Sequence, residues 1–129
     1  MTESDDTPPL LHELERKVMV EMWERETATV RDVLGAVNAR GGRQLAYTTI
    51  MTILVRLHDK GILERDRDGR TYVYRARYSR EQYMEARART GVEALVDEFG
   101  ETALLHFARQ FQSLDPKRRE QLRRMARRD

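Results

Sequence analysis

Leu45 to Gly61, LAYTTIMTILVRLHDKG, leaves the chain fewer structural options than any other stretch. Ile50, Ile53, Leu54 and Leu57 fall at i, i+3, i+4 and i+7, the stripe of a helix with one buried face. The opposite face carries Thr48, Thr49, Met51, Thr52 and Arg56. Three threonines lower helix propensity, because a β-branched side chain loses rotamer freedom against the preceding turn. A merely solvated face is built more cheaply from Glu, Lys or Gln. Short hydroxyl side chains that also carry a methyl suit close approach to phosphates and base edges. Two readings stand at this point: an ordinary surface helix, or a helix that enters a groove. The flanking segments decide between them.

A chain of 129 residues is one domain, or one domain with a short appendage. Hydrophobic residues make up 40%, enough for a modest core. Formal net charge is only +2, so the distribution of charge matters more than its sum. Basic residues cluster in Arg65 to Arg80 and in Lys117 to Arg128, whereas the extreme N-terminus is acidic. No apolar run approaches a membrane span and no signal-peptide pattern opens the chain, so it is expected to be cytoplasmic and away from membranes. With no cysteine there is no disulfide, thiolate metal site or cysteine nucleophile.

Met1 to Pro9 (MTESDDTPP) reads as a mobile acidic arm. A first helix is expected from about Leu10 to Glu24, its stripe made by Leu11, Leu14, Val18 and Met22, with Trp23 as a core anchor. Thr29 caps a second helix, with Asp32 at the N3 position, and Val30, Val33, Leu34 and Val37 repeat at helical spacing. Gly41-Gly42 ends that helix, and Arg43 and Gln44 lead into the threonine helix. Helix, short turn and helix with a polar outer face is a helix-turn-helix arrangement.

Gly61 stops the third helix as a left-handed cap. The period then changes to two. Ile62 to Arg67 and Thr71 to Arg77 flank Asp68-Gly69-Arg70, and Asp-Gly predicts a type I′ hairpin. Tyr72, Tyr74 and Ala76 share one strand face, and Val73, Arg75 and Arg77 the other. A basic hairpin after a helix-turn-helix is a wing. Its arginines Arg67 and Arg70 are either solvated or, beside the threonine helix, placed to reach a phosphate backbone.

Ser79 and Gln82 form a capping box for a fourth helix over about Arg80 to Phe99, with Met84, Ala88, Val92, Leu95, Val96 and Phe99 on one side. Gly91 sits inside it, and Gly100 ends it. A fifth helix, about Glu101 to Phe111, carries Leu104, Leu105, Ala108 and Phe111. Asp115-Pro116 supplies the N-cap and first residue of a sixth, which runs to about Arg127 and holds Leu122 and Met125. Three amphipathic helices without a sheet to cover them imply a second copy of the chain, and these twelve residues are the candidate dimerisation set. The methionines Met19, Met22, Met84 and Met125 lie on apolar stripes and read as gap-filling core.

Taken together, LHELERKVMVEMW, TVRDVLGAVN, LAYTTIMTILVRLHDKGIL and RDRDGRTYVYRARYSREQY resemble the penicillinase-repressor (BlaI/MecI) family of bacterial transcriptional regulators. The resemblance covers about residues 10 to 112 and thins in the last helix. It implies a mainly α fold with a small β-hairpin wing, in which a winged helix-turn-helix domain precedes a C-terminal helical dimerisation region. The expected division is an arm over 1–9, a DNA-binding domain over 10–78 and a dimerisation region over 79–129. The resemblance further implies a homodimer that represses from a two-fold operator with TACA and TGTA half-sites, often controlling β-lactamase or cell-wall-stress genes. On the family's pattern Thr48, Thr49, Met51 and Thr52 face the major groove, and Arg67 and Arg70 lie in the wing. Arg43, Gln44, Ala46, Tyr47 and Arg56 complete the candidate DNA-contacting set. Some members carry a basic residue where this chain has Met51, which can instead touch a thymine methyl.

Two departures bear on release from DNA. Antibiotic-responsive members are cut at an Asn-Phe bond through a membrane-sensor-linked protease; here Phe99 follows Glu98, and no Asn-Phe bond occurs. Copper-responsive relatives use a C-terminal cysteine motif, and this chain has no cysteine. No enzymatic constellation is present either. His12, His58 and His106 are dispersed, and there is no GxGxxG, phosphate loop or nucleophile elbow. No catalytic residue, metal site, cofactor or small-molecule ligand is expected. Set against the repressor, a second hypothesis is a winged-helix adaptor that binds protein through the same helix or the basic tail.

Overall fold

Local spacing becomes local structure with few exceptions. A computed structural model describes residues 7–9 and 11–128. In order they form α1 (Glu13–Trp23), α2 (Val30–Ala39), α3 (Tyr47–Asp59), β1 (Leu63–Asp68), β2 (Thr71–Ala76), α4 (Arg80–Phe99), α5 (Glu101–Gln112) and α6 (Pro116–Arg127). The chain divides into two compact units, one up to Ala88 and the other from Arg89, so the boundary falls inside α4.

In the first unit α1, α2 and α3 pack around a core that includes Val18, Met19, Met22, Val33, Ile50, Leu54 and Leu57. All four residues of the α3 stripe are buried, as their spacing required. The stripe of α1 needs correction. Leu14 is 39% exposed, and the buried arc runs through Leu11, Glu15, Val18, Met19 and Met22. Glu15, four residues after Leu11, takes the inward position that a three-residue step had given to Leu14. The helix also starts later than expected. The expected first residue, Leu10, lies outside the described residues; His12 is the N-cap, and its N–H donates to Glu15 Oε1 at 2.9 Å.

The caps read from sequence are present. Thr29 Oγ1 accepts from the Asp32 N–H and Asp32 Oδ2 accepts from the Thr29 N–H. Ser79 and Gln82 reciprocate in the same way at the start of α4. Gly61, at φ +82°, closes α3 with a Schellman pair: its N–H donates to the His58 carbonyl, and the Ile62 N–H to the Leu57 carbonyl, each at 3.0 Å. Ile62 is fully buried, so the cap also turns the chain back into the core.

β1 and β2 pair antiparallel from Leu63 with Ala76 to Asp68 with Thr71. The turn is therefore Gly69-Arg70, and the expected Asp-Gly type I′ turn is not formed. Only Gly69 has positive φ, +67°, so the first central residue alone is left-handed, the pattern of a type II′ turn. Tyr74 is buried, with Tyr72 and Ala76 packed beside it, as alternation predicted. Ala28 adds a bridge that alternation did not reveal: its N–H and carbonyl exchange bonds with Tyr74 at 2.9 and 2.8 Å.

The first turns of α4 belong to this unit. Trp23 Nε1–H donates to the Tyr78 carbonyl at 2.9 Å, and its ring lies 5.5 Å from that of Tyr83. The Tyr83 hydroxyl accepts from the Leu11 N–H. Of the expected arm, Met1 to Asp6 lie outside the described residues. Pro8 is buried, and its carbonyl accepts from Arg87.

The second unit holds the rest of α4, α5 and α6. Asp115 Oδ1 caps α6 through the Arg118 N–H at 2.8 Å, with Pro116 in the first turn. Arg119 donates to the carbonyls of Gln112 and Leu114, which fixes the α5–α6 turn, and Arg123 lies over the Phe111 ring. Ala103 is buried, whereas Val92, Leu95, Phe99, Leu104 and Leu105 are each between 44% and 52% exposed. Met19 and Met22 are fully buried, but Met84 and Met125 are more than half exposed, so within one chain the gap-filling role fits only the first pair.

Candidate nucleic-acid interface

Two buried carboxylates hold the scaffold of the threonine helix. Glu15, 1% exposed, meets Lys60 Nζ at 2.8 Å through both oxygens, tying α1 to the end of α3. Burial pushes its carboxyl up, but the His12 N–H and the Lys60 ammonium together outweigh that and hold it below its ordinary range. Glu21, equally sequestered, bonds Arg40 and Arg25, and Arg40 also reaches Glu24. Burial again opposes ionisation, and the two guanidinium groups prevail, leaving the carboxyl below its usual value. Arg40 is the C-cap of α2, so this pair fixes the helix end from which the turn departs.

The turn itself is braced by Asn38. Its Nδ2 donates to the Leu45 carbonyl at 3.1 Å and its Oδ1 accepts from the Leu45 N–H at 2.8 Å. Gln44 Nε2 donates to the Asn38 carbonyl. Gln44, expected to contact DNA, therefore buttresses the turn in this structure. Arg43, next to it, is exposed.

Ala46 is the N-cap of α3 and cannot cap it, and no acidic residue occupies the first turn. The leading N–H groups of α3 are left without a side-chain acceptor, unlike those of α2 or α6. Such an end attracts a phosphate oxygen. Beyond it Thr48, Met51, Thr52 and Arg56 are exposed and Thr49 is half-buried. Thr48, Thr49, Thr52 and Arg56 line one shallow concavity of about 350 Å³ together with Leu14 and Ile53. The exposure of Leu14 is thereby placed next to the threonine face.

Tyr47 stands at a corner where three elements meet. It lines a small concavity with Thr29, Val30 and Arg31 from the start of α2 and with Thr71 from β2. The Arg31 guanidinium lies 5.3 Å from the Tyr47 ring centre, a cation–π contact made by an exposed arginine. Sequence reasoning missed Arg31. Its signal was an exposed arginine just inside the N-terminus of α2, where a cation gains nothing from the helix dipole.

On the wing, Arg65 and Arg67 lie 4.0 and 5.1 Å from the Tyr72 ring centre. Arg75 is paired with Glu64 and Asp66. Arg70 is exposed at the turn and has no hydrogen-bond or ion-pair partner among the described residues. The wing thus presents Arg67 pre-oriented on an aromatic face and Arg70 open to solvent, with Arg75 neutralised. Among the described residues no group of three or more His, Asp or Glu side chains is arranged to hold a metal. No described helix is long and apolar enough to cross a membrane.

A three-helix core, a helix-turn-helix with a polar outer face and an appended basic hairpin define a winged helix-turn-helix protein. Residues 11–128 match the penicillinase repressor family, and the chain belongs to it. It is 41% identical over 102 residues to the transcriptional regulator BlaI of Mycobacterium tuberculosis, covering 75% of this chain and 70% of that protein. Its fold matches the solution structure of the DNA-binding domain of the repressor BlaI with a TM-score of 0.52 at 26% identity, over 60% of this chain and 92% of that one. The structure of hsRosR-S1 shares the fold over 90% of this chain and 88% of that one, at 20% identity and a TM-score of 0.50. Members named this way are transcriptional regulators rather than enzymes.

Proposed function

We propose that the protein is a cytoplasmic DNA-binding repressor that occupies a two-fold operator as a homodimer. The observation that carries this reading is the corner at Tyr47. There the uncapped start of α3, Arg31 of α2 and the wing strand that follows Arg70 converge. Phosphate contacts come from the α3 N-terminus, Arg31, Arg43, Arg67 and Arg70. Thr48, Thr49, Met51 and Thr52 read base edges through hydroxyl bonds and methyl contacts. Arg56 lies further along the same helix, beside the threonines.

The homodimer rests on the apolar surface that α4, α5 and α6 leave uncovered in one chain. Met84, Val92, Leu95, Phe99, Leu104, Leu105 and Met125 are all exposed there, and Ala88, Val96, Ala108, Phe111 and Leu122 lie among them. A patch of this kind marks an association surface. Two-fold pairing sets two recognition helices about one turn of DNA apart, or a multiple of it. The operator is expected to be built on TACA and TGTA half-sites, over promoters of β-lactam- or cell-wall-stress genes. A sensor-linked protease is the partner that the family implies for induction, and with no Asn-Phe bond in this chain its cleavage is not indicated by the sequence.

The test is a titration of purified protein against a TACA/TGTA palindrome and a scrambled duplex at two salt concentrations. Strong preference for the palindrome with one dimer per site is the expected result. Equal weak binding to both, abolished at moderate salt, overturns repression from a TACA/TGTA operator in favour of a protein-binding adaptor or a diverged operator.

A further inference from the structure

The basic helix α6 is not explained by the winged helix or by dimer packing. From Lys117 to its C-cap Arg128 it carries seven basic residues against the single acidic Glu120. Outside that stretch acidic residues outnumber basic ones, and over the first unit the two balance. The chain's positive balance therefore resides in one short helix.

Helix stability does not account for this charge. Lys117, Arg118 and Arg119 occupy the first turn, where the helix dipole repels cations, and the Asp115 cap is the single carboxylate at that end to set against three of them. Arg119 and Arg123, Arg123 and Arg127, and Arg124 and Arg128 are like-charged neighbours at i, i+4, a destabilising spacing. An ordinary solvated face intersperses both signs. Internal contacts use only part of the set. Arg119 holds the α5–α6 turn, and Arg123 lies over Phe111 and bonds Glu120, which Arg124 approaches at 3.7 Å. Lys117, Arg124, Arg127 and Arg128 remain exposed. Lys117, Arg124 and Arg128 fall at i, i+7 and i+11, a single stripe. Arg118, Gln121, Arg124, Met125 and Arg128 line a shallow concavity of about 420 Å³.

We infer that α6 is a second nucleic-acid contact, one that grips phosphate backbone without reading sequence. Its charge is almost entirely guanidinium, the group whose planar fork matches phosphate oxygens. Its apolar side is too sparse for a lipid surface: Leu122 and Met125 are the only large apolar residues, with no aromatic among them. The inference rests on the repressor reading for the presence of DNA, and it assigns the sequence-independent part of the affinity to α6.

The full chain is compared with two variants, Lys117→Gln/Arg124→Gln/Arg127→Gln/Arg128→Gln and the smaller Arg124→Gln/Arg128→Gln. A third, Arg124→Lys/Arg127→Lys/Arg128→Lys, keeps the charge. Each is titrated against a scrambled duplex and the palindrome over a salt series, with helicity checked by circular dichroism. The slope of log affinity against log salt is expected to fall by about 0.9 for each phosphate no longer neutralised, with the lysine variant close to the parent. The ratio of palindrome to scrambled affinity is expected to stay constant. An unchanged slope in the smaller variant overturns the inference, as does binding of the parent to phosphatidylserine vesicles that the variants lose while their slope on DNA is unaffected. A parent protein without palindrome preference refutes repression from a TACA/TGTA operator instead, and the slopes on scrambled DNA still decide the role of α6.

Discussion

Asn38 grips Leu45 by both of its backbone polar groups, its amide donating to the carbonyl at 3.1 Å and accepting from the N–H at 2.8 Å. The clamp spans the double-glycine turn, whose residues Gly41 and Gly42 both sit at positive φ. A turn that flexible by composition is made rigid by one side chain, and the first residues of α3 follow from it. Asn38→Ala is expected to cost about 1–2 kcal/mol, the worth of two hydrogen bonds at a half-buried site. Asn38→Asp keeps the acceptor and should fall between. Urea denaturation measures both, and a neutral Asn38→Ala would show that the clamp is idle.

Acid should loosen the first unit through Glu15 and Glu21. Both carboxyls are held below their ordinary value of 4.5 in the folded chain. A group with a depressed folded pKa stabilises above its unfolded pKa, and that stabilisation is lost as pH falls through 4.5 toward the lower folded value. Stability measured by thermal melts from about pH 7 down to about pH 3 should fall in that window, and the fall should be shallower in Glu15→Gln. Lys60→Met leaves Glu15 buried without its cation. It is expected to cost about 3 kcal/mol, the low end for breaking a buried pair because Lys60 is partly exposed. The same change should move the acid sensitivity to higher pH.

Base reading and backbone grip should separate by mutation. Thr52→Ala is expected to weaken palindrome binding roughly fivefold, about 1 kcal/mol, with little effect on a scrambled duplex. Arg70→Ala should weaken both alike and reduce the salt slope by about 0.9. Fluorescence anisotropy on the two duplexes reads both effects. Reversal of the two patterns would place the wing, not α3, over the bases.

The uncovered stripe of α4 makes a prediction about mass. Leu95 and Phe99 are 44% and 52% exposed in one chain. Leu95→Glu puts a charge on that surface and should convert a dimer to a monomer at micromolar concentration in sedimentation equilibrium. Palindrome affinity should drop with it, while the helicity of the first unit persists. A parent that sediments as a monomer refutes the homodimer.

Much of the architecture was legible in the chain because it is governed by local rules. The α3 stripe, the caps at Thr29, Ser79 and Asp115, and the left-handed stop at Gly61 depend on residues within one or two turns of each other. The threonine face was legible for the same reason: the exposed positions on one helix follow from its period. What spacing did not yield was choice among neighbours. It assigned Leu14 to the core and overlooked Glu15, because a carboxylate is accepted inside only when a cation arrives from elsewhere. It read Asp-Gly as the turn, whereas strand register placed Gly69-Arg70 there.

The order of residues was therefore enough to say which segments are helix or strand, roughly where they start and stop, and which faces are apolar. Hydrogen bonding and side-chain periodicity act over a few residues, so these features need no distant partner. Pairings across long separations arose only when the elements packed. Lys60 reaches Glu15 over 45 residues of sequence, the Tyr83 hydroxyl reaches the Leu11 N–H over 72, and Ala28 bridges Tyr74. Desolvation is the cause: a buried polar group must find a partner, and the packing of α1, α2, α3 and the wing selects which distant residue stands within bonding distance. The same packing brought Arg31, Tyr47 and Thr71 to one corner, a convergence with no trace in their spacing along the chain.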